Sequence, residues 1–135
     1  MTNQIRNLKV KTAAVAAAAT EPAFDLEERT ALFGESVIHL ARVVKTNSVT
    51  GPLISQLVRA GTSVGANYCE ANDAESKKDF RHKMGLCRKE SHETKYWLRM
   101  LAAAEPTIAE KARPIWKEAK ELNLIFGAIC RRTST

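Results

Sequence analysis

The stretch between Ser76 and Ala104 holds the densest set of side chains that could do chemistry. Lys77, Lys78, Arg81, Lys83, Arg88, Lys89, Lys95 and Arg99 stand there against three acids, Asp79, Glu90 and Glu93. This stretch alone carries nearly all of the chain's formal charge of +6. On a 3.6-residue wheel, Lys77, Lys78, Arg81, Arg88, Lys95 and Arg99 share about one third of the circumference. His92 falls among them, His82 falls at their margin, and the acids fall on another side. Such a strip can meet phosphates, which ask for positive charge and rough spacing rather than a fixed constellation. A solvated helix face carries the same pattern.

A second group is polar. Gln56, Ser63, Asn67 and Glu70 form one row beside the apolar positions of their segment. Asn and Ser are poor choices inside a helix, so the row reads as a structural hydrogen-bond network between helices or between subunits. Arg59 and Glu93 are its candidate partners. An enzymatic reading would rest on Asn67, Glu70 and Glu93 and would need water to reach all three.

Recognised catalytic and metal patterns are missing. His92-Glu93 begins like H-E-x-x-H, but Tyr96 stands where the second His would be. Glu90-x-x-Glu93 lacks the His of a ferritin-like site. His39, His82 and His92 do not pair with a cysteine at metal spacing. There is no Walker loop and no G-x-S-x-G. The chain therefore reads as a binding protein rather than an enzyme, with no cofactor and no metal. Cys69, Cys87 and Cys130 are odd in number and offer no disulfide framework. They read as small buried groups in a reducing, cytoplasmic setting.

Four helices must position these groups. Each shows apolar residues alternating at four and three, the seam of a bundle helix. Phe33, Val37, Leu40 and Val44 mark the first, from about Asp25, a candidate cap, to Thr46. Asn47 to Pro52 breaks it. The second runs from Pro52 to about Asp73 along Leu53, Leu57, Ala60, Val64, Tyr68 and Ala71. Gly61 and Gly65 lie four apart in it and let a neighbouring helix come close. The third runs from a Ser76 cap to Ala104 along Phe80, Met84, Cys87, Ser91, Thr94, Leu98 and Leu101. The fourth, from about Thr107 to Arg131, follows Ile108, Ala112, Ile115, Ala119, Leu122, Phe126 and Ile129. Pro114 interrupts it, so either a short turn precedes a main helix from Pro114 onward or the helix kinks there.

The 135 residues suit one domain. With only 6% aromatics, the core must come from Leu, Ile, Val and Ala, which favours helix packing. Short links make neighbouring helices antiparallel. The expected fold is all-α, an antiparallel up-and-down four-helix bundle over residues 23–132. Residues 1–22 read as a flexible Ala-rich tail and 133–135 as a C-terminal tail. No run is long and apolar enough for a membrane span. Leu86 and Trp97 fall on the acidic side of the third helix, away from its seam, and read as exposed groups that a second subunit would cover. Trp116 lies beside the fourth seam and fits either a core or an interface.

The stretch Ser55-Gln56-Leu57-Val58-Arg59-Ala60-Gly61-Thr62-Ser63-Val64-Gly65-Ala66-Asn67-Tyr68-Cys69-Glu70-Ala71 resembles the four-helix bundle family encoded in intervening sequences of bacterial 23S ribosomal RNA. Lys77 to Phe80 and Glu90 to Leu98 also fit, and the resemblance spans about 25–131. The chain departs from it at Ala71, where Gly often follows the Glu, in its Ala-rich head, and at Pro114. The resemblance implies a homo-oligomeric ring, typically a pentamer, with no established enzymatic activity. It extends to an accessory protein of diversity-generating retroelements, which binds nucleic acid and a reverse transcriptase through a basic surface. The expected function is thus nucleic-acid binding or an accessory role through the third helix. A protein-interaction scaffold, without contact to RNA or DNA, is the alternative.

Overall fold

The computed structural model describes residues 26–134, so the Asp25 cap and the 1–22 tail lie outside the described residues. Four helices follow one another: α1 (Leu26–Val43), α2 (Thr50–Asn72), α3 (Lys77–Ala104) and α4 (Ala109–Arg132). A single 3₁₀ turn, Pro106–Ile108, links α3 to α4. Sequence neighbours pack side by side, and α4 returns against α1 to close the bundle. The links are too short for anything but antiparallel neighbours. The chain is an all-α four-helix bundle.

The seams read from the sequence form the core. Phe33, Val37, Leu40 and Val44 of the first segment meet Leu57, Ala60, Val64, Tyr68 and Ala71 of α2. Met84, Cys87, Leu98 and Leu101 of α3 join them, with Ile108, Ala112, Ile115, Ala119, Leu122 and Phe126. Leu53, Phe80 and Ile129, at seam ends, are partly buried against this core. Ser91 and Thr94 occupy buried seam positions because each hydroxyl is satisfied locally. They donate to the carbonyls of Arg88 (3.0 Å) and Glu90 (2.7 Å).

Gly61 explains how near α1 comes to α2. A Cβ there would stand 2.8 Å from a Val37 methyl, inside contact distance. Val37 is fully buried and has nowhere to retreat.

The turns depart from the sequence reading in three places. α1 stops at Val43, not Thr46, and α2 begins at Thr50, not Pro52. Between them Asn47 folds the backbone on itself: its Oδ1 accepts from the amides of Val49 and Thr50, both at 2.9 Å. The buried Thr50 hydroxyl accepts from the Asn47 amide (3.0 Å) and donates to the Lys45 carbonyl (2.7 Å). These side-chain bonds outcompete another helical turn. Pro52 remains in the first turn of α2, where its missing N–H has no helical partner to lose. The third place is Pro114. A short turn does precede the last helix, but α4 starts at Ala109 and runs through Pro114.

Candidate nucleic-acid interface

Ser76 starts α3 as the sequence indicates. Its extended backbone carries a hydroxyl that accepts from the Asp79 amide at 3.0 Å. From that start the helix turns its acidic side toward α2 and its basic strip toward α4. Asn123 of α4 donates to the Arg88 carbonyl (2.8 Å), and Arg81 Nη1 donates to the Thr133 carbonyl (3.3 Å). Lys95 Nζ lies 5.5 Å from the centre of the Trp116 ring. Lys77, Lys78, Arg81, Arg88 and Arg99 are exposed, and Lys95 is half-buried beside the tryptophan.

The facing side of α4 is basic too. Lys120 Nζ sits 5.8 Å from the same Trp116 ring. Arg131 and Arg88 both reach over Gly127, where a Cβ would stand 3.5 Å from Arg131 Nη1 and 3.9 Å from Arg88 Nε. Arg113 and Lys117 line a cleft with Leu98, Arg99 and Trp116. The third-helix strip is therefore one half of a basic surface that spans two helices. Reading α3 alone misses the α4 half. The signal for it lay in the spacing of Arg113, Trp116, Lys120 and Arg131 along one side of the last helix.

The ion pairs between helices lie at other contacts. Arg29 of α1 donates from Nε and Nη2 to Glu118 (2.8 and 2.7 Å) and from Nη2 to Glu121 (2.7 Å). Its hydrogen bonds to Glu118 outweigh burial and hold its pKa above the ordinary value. Arg59 of α2 binds Glu90 (3.1 Å) and Glu93 of α3. Lys83 pairs with Glu70 at 2.5 Å. Among the described residues, Lys77, Lys78, Arg81, Arg88, Lys95, Arg99, Lys117, Lys120 and Arg131 form no ion pair.

The polar row divides into parts. Gln56 Oε1 accepts from Arg59 Nε (2.9 Å), and Arg59 reaches Glu90 and Glu93. Glu93 also accepts from Trp97 Nε1 at 3.0 Å. Ser63 and Asn67 instead donate to carbonyls of their own helix, those of Arg59 and Ser63. Glu70 goes to Lys83. Asn67, Glu70 and Glu93 thus have separate partners and line neither the cleft beside Trp116 nor one between α1 and α2 lined by Thr30, Gly34, Thr62 and Gly65.

Two expectations about exposure need correction. Leu86 and Trp97 are half-buried, and Trp97 packs against the core, because α2 covers the acidic side of α3. Tyr96 and Leu124 are the more exposed, at 53% and 63%. Of the cysteines only Cys87 is buried; Cys69 is exposed and Cys130 intermediate. Burial pushes the Cys87 thiol up to about 12, and its Sγ lies 3.5 Å from the Val64 carbonyl. No cluster of three His, Cys, Asp or Glu side chains suited to a metal occurs among the described residues. No described helix is long and apolar enough to cross a membrane.

Fold and surface define a class: a four-helix bundle whose described interhelical ion pairs lie at the α1–α4 and α2–α3 contacts, while the α3–α4 contact carries cations on both helices. The model of the 23S rRNA-intervening sequence protein family matches residues 26–127, and the chain belongs to that family. It is also similar to a crystal structure from Bacteroides thetaiotaomicron, a protein of unknown function from the S23 ribosomal protein family. The two share 30% identity over 77% of this chain and 96% of the other, with a TM-score of 0.67. No curated protein matches the chain.

Proposed function

We propose that this bundle is a non-enzymatic nucleic-acid-binding or accessory protein that works as a homo-oligomer. The observation that carries the reading is the set of unpaired cations that α3 and α4 bring together, while the described ion pairs between helices lie at the α1–α4 and α2–α3 contacts. Like charges held together without acids cost energy through mutual repulsion. A polyanion removes that cost and gains by releasing its own counterions. Exposed Tyr96 and Leu124 give a second copy apolar surface to cover. The family resemblance adds a ring of five, in which each subunit would repeat the surface and weak contacts would gain by avidity.

The test is binding of nuclease-treated protein to RNA and DNA across a salt series, with particle mass measured in the same buffers. Steep weakening with salt is expected, on a particle larger than one chain. In the variant Arg88→Glu/Lys95→Glu/Arg99→Glu the slope of log affinity against log salt should flatten by about 2–3, from three lost phosphate contacts. A variant slope equal to the parent's would sink this surface as the site. An oligomer that binds no nucleic acid at low salt would turn the reading to a protein-interaction scaffold.

A further inference from the structure

The basic surface is not uniform along its length. Around Lys77, Lys78 and Arg81 it is made of exposed side chains at the start of α3. Near the end of α3 it opens into a cleft of about 360 Å³. Leu98, Ala102, Ala109 and Ala112 give this cleft an apolar lining, and Arg99, Arg113 and Lys117 add charge to it. Trp116, still 37% exposed, forms one wall. Lys95 and Lys120 hold their ammonium groups within 6 Å of its ring. Among the described residues, no carboxylate lines the cleft. The nearest pairing is Glu110 with Arg113 at 3.4 Å, an exposed contact of little strength.

We propose that this cleft seats an unpaired base of a single-stranded nucleic acid against Trp116. The neighbouring phosphates would lie on Arg99, Arg113, Lys117 and Lys120. The proposal rests on the nucleic-acid reading above and gives it a substrate class. A positive groove with an aromatic platform is what single-strand binding requires, because every base has a π-face. A duplex can lay its phosphates on the strip, but it fills the cleft only by flipping a base out of its stack, which costs energy. An acidic peptide could also use the cations. The nucleic acid is favoured because Arg99 belongs both to the cleft and to the strip, so one polyanion can run along the surface and drop a base into its end.

The experiment compares a single-stranded oligonucleotide, its duplex, and the same single strand with abasic units, against the parent, Trp116→Ala and Trp116→Phe. Far-UV circular dichroism checks that each variant is folded. The parent is expected to prefer the single strand. Trp116→Ala should lose about tenfold or more on the single strand and little on the duplex, whereas Trp116→Phe should keep most of the affinity. Abasic units should bring the parent down to the level of Trp116→Ala. Equal affinity for both strand forms, unchanged in Trp116→Ala, overturns the base site and leaves the phosphate strip standing. Failure of the parent to bind either form at low salt overturns the nucleic-acid reading itself, and the base site with it.

Discussion

α3 lies between α2 and α4, and its two flanks handle charge in opposite ways. Toward α2, Arg59 is held by Glu90 and Glu93, and Lys83 by Glu70. Toward α4, Arg88 and Arg131 share the space over Gly127, Lys95 and Lys120 share one tryptophan ring, and none of the four is ion-paired among the described residues. The residue types are the same; the difference is where the carboxylates stand. α4 has acids, but Glu118 and Glu121 turn to Arg29 on α1. The first flank uses charge to fix one helix on another. The second holds its helices through apolar packing and the Asn123 bond to Arg88, leaving its charge available.

Substitutions on the two flanks should give mirror-image results. Arg59→Met strands Glu90, which is only 8% exposed. It should cost about 1–3 kcal/mol in urea unfolding and leave nucleic-acid affinity as it was. The α3 triple variant should do the reverse, losing no more than about 0.5 kcal/mol of unfolding free energy, since it also relieves repulsion among the cations. If both variants lose stability equally, the distinction between the flanks collapses.

Cys87 sharpens the contrast, because it lies buried where α3 meets α2. Its thiol stays protonated in the fold up to about 12, while the unfolded chain ionises it from about 9. Above pH 9 the folded state therefore binds more protons, and stability must fall as pH rises toward 12. At pH 10 the loss should be about 1.4 kcal/mol. Urea melts at pH 8 and pH 10 check this. A Cys87→Ala variant lacks this contribution, and its stability should fall less between the two pH values.

The smallest effects concern two glycines. Gly61→Ala pushes a Cβ into Val37 and should cost about 1 kcal/mol after the gain in helix propensity. Gly85→Ala on α3 meets nothing within 4 Å and should add about 0.5–1 kcal/mol. Opposite signs in thermal melts would show that close approach belongs to the α1–α2 contact, not to glycine in general.

Much of this fold was legible because burial follows helical period. Val37, Leu57, Cys87, Ala119 and Phe126 all fall on seams that apolar spacing marks, and all are fully buried. Gly61 announced the close approach it makes. Apolar spacing misses the bounds of the turn at Asn47, since two side chains there compete with the backbone. The surface was half legible. A wheel shows that cations share a side of α3, but it does not show which helix lies beside them. For that reason the wheel puts Trp97 outside and leaves Arg113, Trp116 and Lys120 apart from the strip.

The bond from Arg81 to the Thr133 carbonyl has a practical corollary. It ties the end of α4 to the start of the basic surface, so a segment appended to that end starts out beside Arg81. An acidic tag at that end would compete with phosphate for the same cations, and a polyhistidine tag would add charge of its own at low pH.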